Sequence, residues 1–421
     1  MAAAALLSLT LLGAYASAAP ESVVAAVDAN NVAALETLSR SGATAQQRGL
    51  AAGALLALRH EDGKAAALLI PVTRSMASRA VRATAYLGLA EVYLRDQRYR
   101  ACYSAFRAAL QLSPRSFDLE KRQDMASCQA LAKVKPMQVV RETPGSLPIT
   151  RDMVDLIRVP VKIDGVQHKA VVDTGAGFST ISASAAKSAG ITMLRQTLSV
   201  GTASRRAVAM RLGVARRLLI GNATLTNVVF IVLPDSDLSF PHGYRVNAVI
   251  GLPVLMALGH RLEFVNSGAP ALLYDVPRGR PDGQTGSDSN MLLAGLTPLV
   301  LVHVPGADNP LRMILDTGSP ITEFAHDAIV DAPALLMHPK RHVSLPAVGA
   351  GGVVTERRGL ILTDVALIIG GRQFKLKSVP VNSAAGAISS YRIDGLLGQN
   401  VLRQGARWTL DFNTMTLAVG N

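Results

Sequence analysis

The sequence predicts a multidomain chain, with an α-helical repeat region followed by two all-β lobes of similar size that form one cleft. Three observations lead there. The spacing of apolar residues changes near residue 148 from three-and-four to two, the difference between a helix face and a strand face. The tract PRGRPDGQTGSDSN at 277–290 has almost nothing to bury and reads as a linker through the β part. The stretches on either side of it carry the same motifs in the same order, starting with Asp173-Thr174-Gly175 and Asp316-Thr317-Gly318. A chain of 421 residues has room for two or three domains. Being 49% hydrophobic and 17% charged, it can fill a core, which excludes a disordered chain. The net charge of +13 comes mostly from scattered Arg. With no dense basic run and no basic–aromatic interleaving, it reads as a solvated basic surface and not as a nucleic-acid-binding one.

Residues 1–19 form an uncharged apolar run ending in Ala16-Ser17-Ala18. The run is short for a membrane span and has a small-x-small cleavage pattern, so it reads as a secretory leader. No basic residues precede it, which leaves an uncleaved anchor as the alternative. The expectation is an exported protein, periplasmic or secreted. Residues 20–135 are rich in Ala and Leu at helical spacing. Within them Tyr86, Leu89, Ala90, Tyr93, Cys102, Phe106, Ala109 and Pro114 fall at spacings that resemble a tetratricopeptide repeat over 83–116, with Cys102 where that family prefers Ala. The region is then either a docking platform for a protein partner or a helical spacer or prodomain. Cys102 and Cys128 are the only two cysteines, too few for zinc without nearby His. Ser113-Pro114-Arg115-Ser116, midway between them, reads as a turn between helices that sets the two opposite each other. Both a disulfide and a pair of buried thiols fit that placement.

The β lobes are expected at 148–276 and 291–421. Each triplet follows an apolar run, Ala170-Val171-Val172 or Met313-Ile314-Leu315, that reads as a buried strand. Downstream come Ile250-Gly251 with Leu262-Glu263-Phe264, and Leu397-Gly398 with Leu410-Asp411-Phe412. Between these marks each half has a candidate hairpin, at 200–204 with Gly201 and Thr202, and at 348–352 with Gly349, Gly351 and Gly352. A lone Asp-Thr-Gly is usually a turn or cap. A duplicated one inside a duplicated frame brings two carboxylates together.

These motifs resemble the two lobes of a pepsin- or retropepsin-type aspartic protease, over nearly two thirds of the chain. The resemblance implies a two-lobed retropepsin-like protein that hydrolyses peptide bonds with a water activated between Asp173 and Asp316. It implies that Thr174 and Thr317 bond across the lobe interface, that Gly175 and Gly318 permit a tight turn, and that Gly251 and Gly398 let the chain pass close behind each active loop. The two hairpins would be substrate-binding flaps. No Tyr lies at 198–208, so the first flap looks like the retropepsin kind. After the triplets stand Ala176 and Ser319, and only Ser319 can bond near the dyad. A linker of this length allows both lobes to pair within one chain, so a monomer with a peptide or protein substrate is expected. The alternative is an inactive relative that keeps the cleft as a peptide-binding module.

Other chemistries find no motif. The chain lacks His-Glu-x-x-His and Gly-x-Ser-x-Gly, and its Gly-rich 349–352 has neither Rossmann spacing nor a P-loop Lys. No metal and no cofactor are expected. The remaining acids, including Asp155, Asp164, Asp235, Asp237, Asp364 and Asp394, read as solvated surface.

Overall fold

The computed structural model describes residues 22–141, 144–201, 207–275, 289–349, 352–382 and 392–420. The leader, nearly all of the linker, Thr202 and Gly351 therefore lie outside the described residues.

Seven helices come first: α1 (Val23–Asp28), α2 (Val32–Ser41), α3 (Ala45–Leu58), α4 (Asp62–Arg74), α5 (Arg79–Arg95), α6 (Tyr99–Leu112) and α7 (Leu119–Leu131). Local chemistry sets their starts. Thr44 and Gln47 form a capping box at α3, while Ser78 and Asp118 cap α5 and α7 by accepting from Val81 and Lys121 backbone N–H. Along α6 the buried side chains Tyr99, Cys102, Ala105, Phe106 and Ala109 recur at three and four, so one stripe faces its neighbours. From α2 to α7 each helix packs on the next. The segment 83–116 is the α5–α6 helical hairpin, closed by a 3-10 turn at Pro114–Ser116. That turn folds α7 back so that Cys102 and Cys128 are disulfide-bonded, with Cα atoms 5.9 Å apart.

The β part begins ahead of residue 148. Gln138–Arg141 already pairs with Ala223–Thr226 in the first lobe's sheet. That lobe is a nine-stranded sheet, the second an eight-stranded one, and a five-stranded sheet ties them together. In the first lobe the strand Ala207–Ile220 pairs with both Ile157–Ile163 and Ala223–Leu233, so the pairings run in a ring. In the second lobe the same ring is completed by the single bridge His303↔Ile368.

The joining sheet places Arg261–Val265 antiparallel to Arg407–Asp411, with Leu262 directly opposite Leu410. These two leucines head the repeated Leu-Glu-Phe and Leu-Asp-Phe segments. A pseudo-two-fold axis therefore passes between a residue and its own counterpart. Beside it the rings of Phe264 and Trp408 stack, with centroids 3.8 Å apart and planes within 2°. Both are fully buried.

The helical domain touches both lobes. Buried Arg95 pairs with Asp62 at 2.5 Å and donates to the Gly295 carbonyl of the second lobe at 2.9 Å. Gln123 of α7 donates to Ser199 of the first lobe at 3.3 Å.

Candidate active site

Each aspartate stands at the end of a strand that is buried toward its C-terminus. Val166–Val172 lies parallel to Ala248–Ile250, and Leu311–Leu315 lies parallel to Gly395–Leu397. In each lobe the short strand, Ala248–Ile250 or Gly395–Leu397, also pairs antiparallel with the segment following the triplet. Asp173 N–H donates to Ile250 O at 3.0 Å, and Asp316 N–H donates to Leu397 O at 3.1 Å. The repeated apolar-apolar-Gly text thus fixes both aspartates by the same backbone bond. A Cβ on Gly251 would lie 2.7 Å from Ala176 O, and one on Gly398 would lie 2.3 Å from Ile321 O, so the close passage expected of these glycines is real. Their N–H groups donate to the hydroxyls of Ser179 and Thr322, both at 3.1 Å.

The threonines join the lobes reciprocally. Thr174 N–H donates to Thr317 Oγ1 at 3.0 Å, and Thr317 N–H donates to Thr174 Oγ1 at 3.1 Å. Each hydroxyl then donates onward across the interface, Thr174 to Leu315 O at 2.6 Å and Thr317 to Val172 O at 2.8 Å. Both threonines are fully buried, so all four bonds form away from water, where leaving one unmade is costly. Gln399, also fully buried, adds a bond from Nε2 to Thr317 O at 2.9 Å.

This grip sets the carboxyl groups of Asp173 and Asp316 against each other: a Cβ on Gly175 would lie 3.2 Å from Asp316 Oδ1 and 3.3 Å from Asp173 Oδ1. The inner oxygen of Asp173 accepts from Gly175 N at 2.9 Å and Ala176 N at 3.1 Å, and that of Asp316 accepts from Gly318 N at 2.8 Å. Burial pushes the Asp173 carboxyl well above the ordinary range, and the neighbouring Asp316 charge pushes it further. Burial also raises Asp316, against the opposing bond from Gly318 N–H. Such a pair holds one proton between two carboxyls. The unprotonated member can take a proton from a bound water while the protonated member bonds an acceptor on the other side.

Three expectations need correction. Gly175 and Gly318 do sit in tight turns, but neither has a left-handed backbone, so the turn alone does not require glycine. A Cβ on Gly318 would lie 2.6 Å from Asp173 Cγ, and one on Gly175 would lie 3.0 Å from Asp316 Cγ. Each glycine is bare because the other lobe's carboxyl rests on it. The Ser319 hydroxyl donates to Ile321 O at 2.8 Å and not to a carboxylate; its backbone N–H serves Asp316 instead. Asp394 is fully buried, not surface, and accepts from Arg312 N at 2.7 Å and Nε at 3.2 Å.

The hairpins are present as stems. Thr192–Gly201 pairs with Ala207–Ile220, with Gly201 opposite Ala207, and Lys340–Gly349 pairs with Gly352–Ile369, with Gly349 opposite Gly352. Thr202 and Gly351, assigned to the flap turns, lie outside the described residues. Among the described residues no group of three His, Cys, Asp or Glu is placed to hold a metal, and no helix is long and apolar enough to cross a membrane.

Residues 159–254 match a family model described as aspartyl protease. Among solved structures, a retropepsin-like aspartic protease from Rickettsia conorii is similar at a TM-score of 0.22 and 17% identity, over 33% of this chain and 94% of that one. No curated protein matches the chain. The matched span lies within the first lobe and ends just past Gly251.

Proposed function

We propose that the chain is an aspartic endopeptidase in which a water between Asp173 and Asp316 attacks the peptide carbonyl. The observation that carries this reading is the reciprocal Thr174–Thr317 bonding, which sets the two carboxyls against each other on the axis between the lobes. The ionised carboxyl takes a proton from water as the water oxygen bonds to the carbonyl carbon. The protonated carboxyl gives its proton to the carbonyl oxygen. In the second half the dyad's proton passes to the amide nitrogen, the C–N bond breaks, and a hydroxyl proton of the gem-diol moves to the dyad as the carboxylic acid forms, so the dyad again holds one proton. The hairpin stems at 192–214 and 340–362 carry the flaps that close over the peptide. Both lobes come from one chain, which supports a monomer with one site. The Cys102–Cys128 disulfide supports export through the leader at 1–19, into the periplasm or medium. The α5–α6 hairpin supports a tetratricopeptide-like docking role for the helical domain.

The test is cleavage of unfolded casein across pH 3 to 8 by wild type, Asp173→Asn and Asp316→Asn, with and without a statine-type inhibitor. Each substitution is expected to lower kcat on the order of 10²–10⁴-fold, and the inhibitor to abolish wild-type turnover. Equal cleavage by all three proteins would remove the dyad as catalyst. No cleavage by well-folded wild type would leave a peptide-binding module.

A further inference from the structure

The two halves of the site are twins around the dyad, but their outer ends differ. Along the strand Val166–Val172, alternate side chains Gln167, Lys169 and Val171 share one face, which continues to Asp173. The counterpart face in the second lobe carries Arg312 and Ile314 and continues to Asp316. Lys169 and Arg312 hold the same place, four residues before their aspartates.

Arg312 is fully engaged. It pairs with Asp394 at 3.2 Å and Asp331 at 2.7 Å, and its Nη1 donates to the Ala29 carbonyl at the end of α1 at 2.7 Å. The end of α1 therefore sits over this end of the second lobe.

On the first lobe the same place is an open groove of about 640 Å³. Lys169 and Arg245 line it, both exposed, and neither forms a salt bridge among the described residues. Asp152, the acid in its lining, is already bound by Arg158 at 2.6 Å and by the Tyr244 hydroxyl at 2.7 Å. Arg158 is in turn held by Lys169 O and Tyr244. Asp235, outside the lining, feels the charge of Arg245, but within the groove no acid is left to balance Lys169 and Arg245, and the floor is internally bonded. An apolar patch of Leu156, Val171 and Val249, with Ala176 and Tyr244 packed on it, bridges from groove to dyad. Four strand residues separate Lys169 from Asp173, roughly 13 Å. An extended peptide with its central bond at the dyad reaches that far with its third to fifth residue.

We propose that this groove is a specificity site for acidic side chains of the peptide substrate, held by Lys169 and Arg245 some four residues from the bond at the dyad. The proposal rests on the cleft being a peptide site, so its test reads binding and not turnover. Full-length protein carrying Asp173→Asn is titrated into fluorescein-labelled decapeptides that share an apolar centre. They carry Glu, Gln or Lys at the fourth and fifth residues from the central bond, on one side or the other. The anisotropy is expected to show the Glu peptide of one series binding roughly 3- to 10-fold more tightly than its Gln partner in low salt. The gap should close as the salt rises to about 0.3 M. In the same protein with Lys169→Glu and Arg245→Glu the order should invert, in favour of Lys. Equal binding of the three peptides in both series, or a Glu preference that survives the double exchange, would overturn the proposal. If the charge preference appears but wild type cuts none of these peptides, the groove stands and the endopeptidase reading falls.

Discussion

The Asp173 carboxyl is raised by burial first and by the Asp316 charge second, from an ordinary value of 3.8. The folded chain therefore holds protons that the unfolded chain has released, over the range from 3.8 up to the folded value. Stability contributed by this proton is complete below the unfolded value and is lost as pH rises through the folded one. Asp173→Asn removes the buried charge, so it is expected to unfold at a higher temperature than wild type at pH 7, with the difference shrinking toward pH 3. Thermal unfolding across that range checks this, and a variant no more stable at pH 7 would mean the pair carries no raised proton. At this scale the aspartates and threonines were legible because two equivalent triplets in one frame have few other uses. The reason for Gly175 and Gly318 was not, since the atom that excludes a side chain belongs to the other lobe. Nor was Gln399, whose partner Thr317 lies 82 residues away. Asp394 was misread for the same reason: its partner Arg312 is equally remote in sequence.

Among the elements, α6 and α7 form the pair whose stability a single bond most directly controls. The Cys102–Cys128 disulfide closes a loop of 26 residues. On chain entropy it stabilises the fold by about 3–4 kcal/mol. Cys128→Ser should lower the urea midpoint of the helical domain accordingly, and reducing the wild type should give the same shift. No shift in either would mean that packing alone fixes the two helices. Because α7 bonds Ser199 on the first hairpin stem, amide exchange of 192–201 should quicken with it. Helices and hairpins were readable from period and turn residues, and the turn at Pro114–Ser116 was readable from its own sequence. The early strand Gln138–Arg141 was not. It is a four-residue edge strand directly after a helical domain, and its identity comes from Ala223–Thr226, over eighty residues on.

Taken whole, the molecule hinges on the sheet that both lobes build. Trp408 is fully buried, stacked on Phe264, and its indole N–H finds no acceptor among the described residues. Trp408→Ala should cost about 3–5 kcal/mol. Trp408→Phe should cost much less, because it keeps a stacking ring and removes the orphaned donor. Since the stack joins one lobe to the other, calorimetry should show the two lobes melting together in wild type and separating in Trp408→Ala; separate lobe transitions in wild type would refute this. That the halves pair with each other was implied by their shared text, but where the helical domain rests was not written in any motif. It rests on one lobe's copy of a face that the other lobe leaves open. A two-fold axis treats both ends of whatever crosses it alike, whereas a polypeptide has unlike ends, an amine and a carboxylate. By covering one copy, α1 makes this axis polar. A chain laid across it in one sense would put its amine end at the open face, and in the other sense its carboxylate end, so the two senses are no longer equivalent.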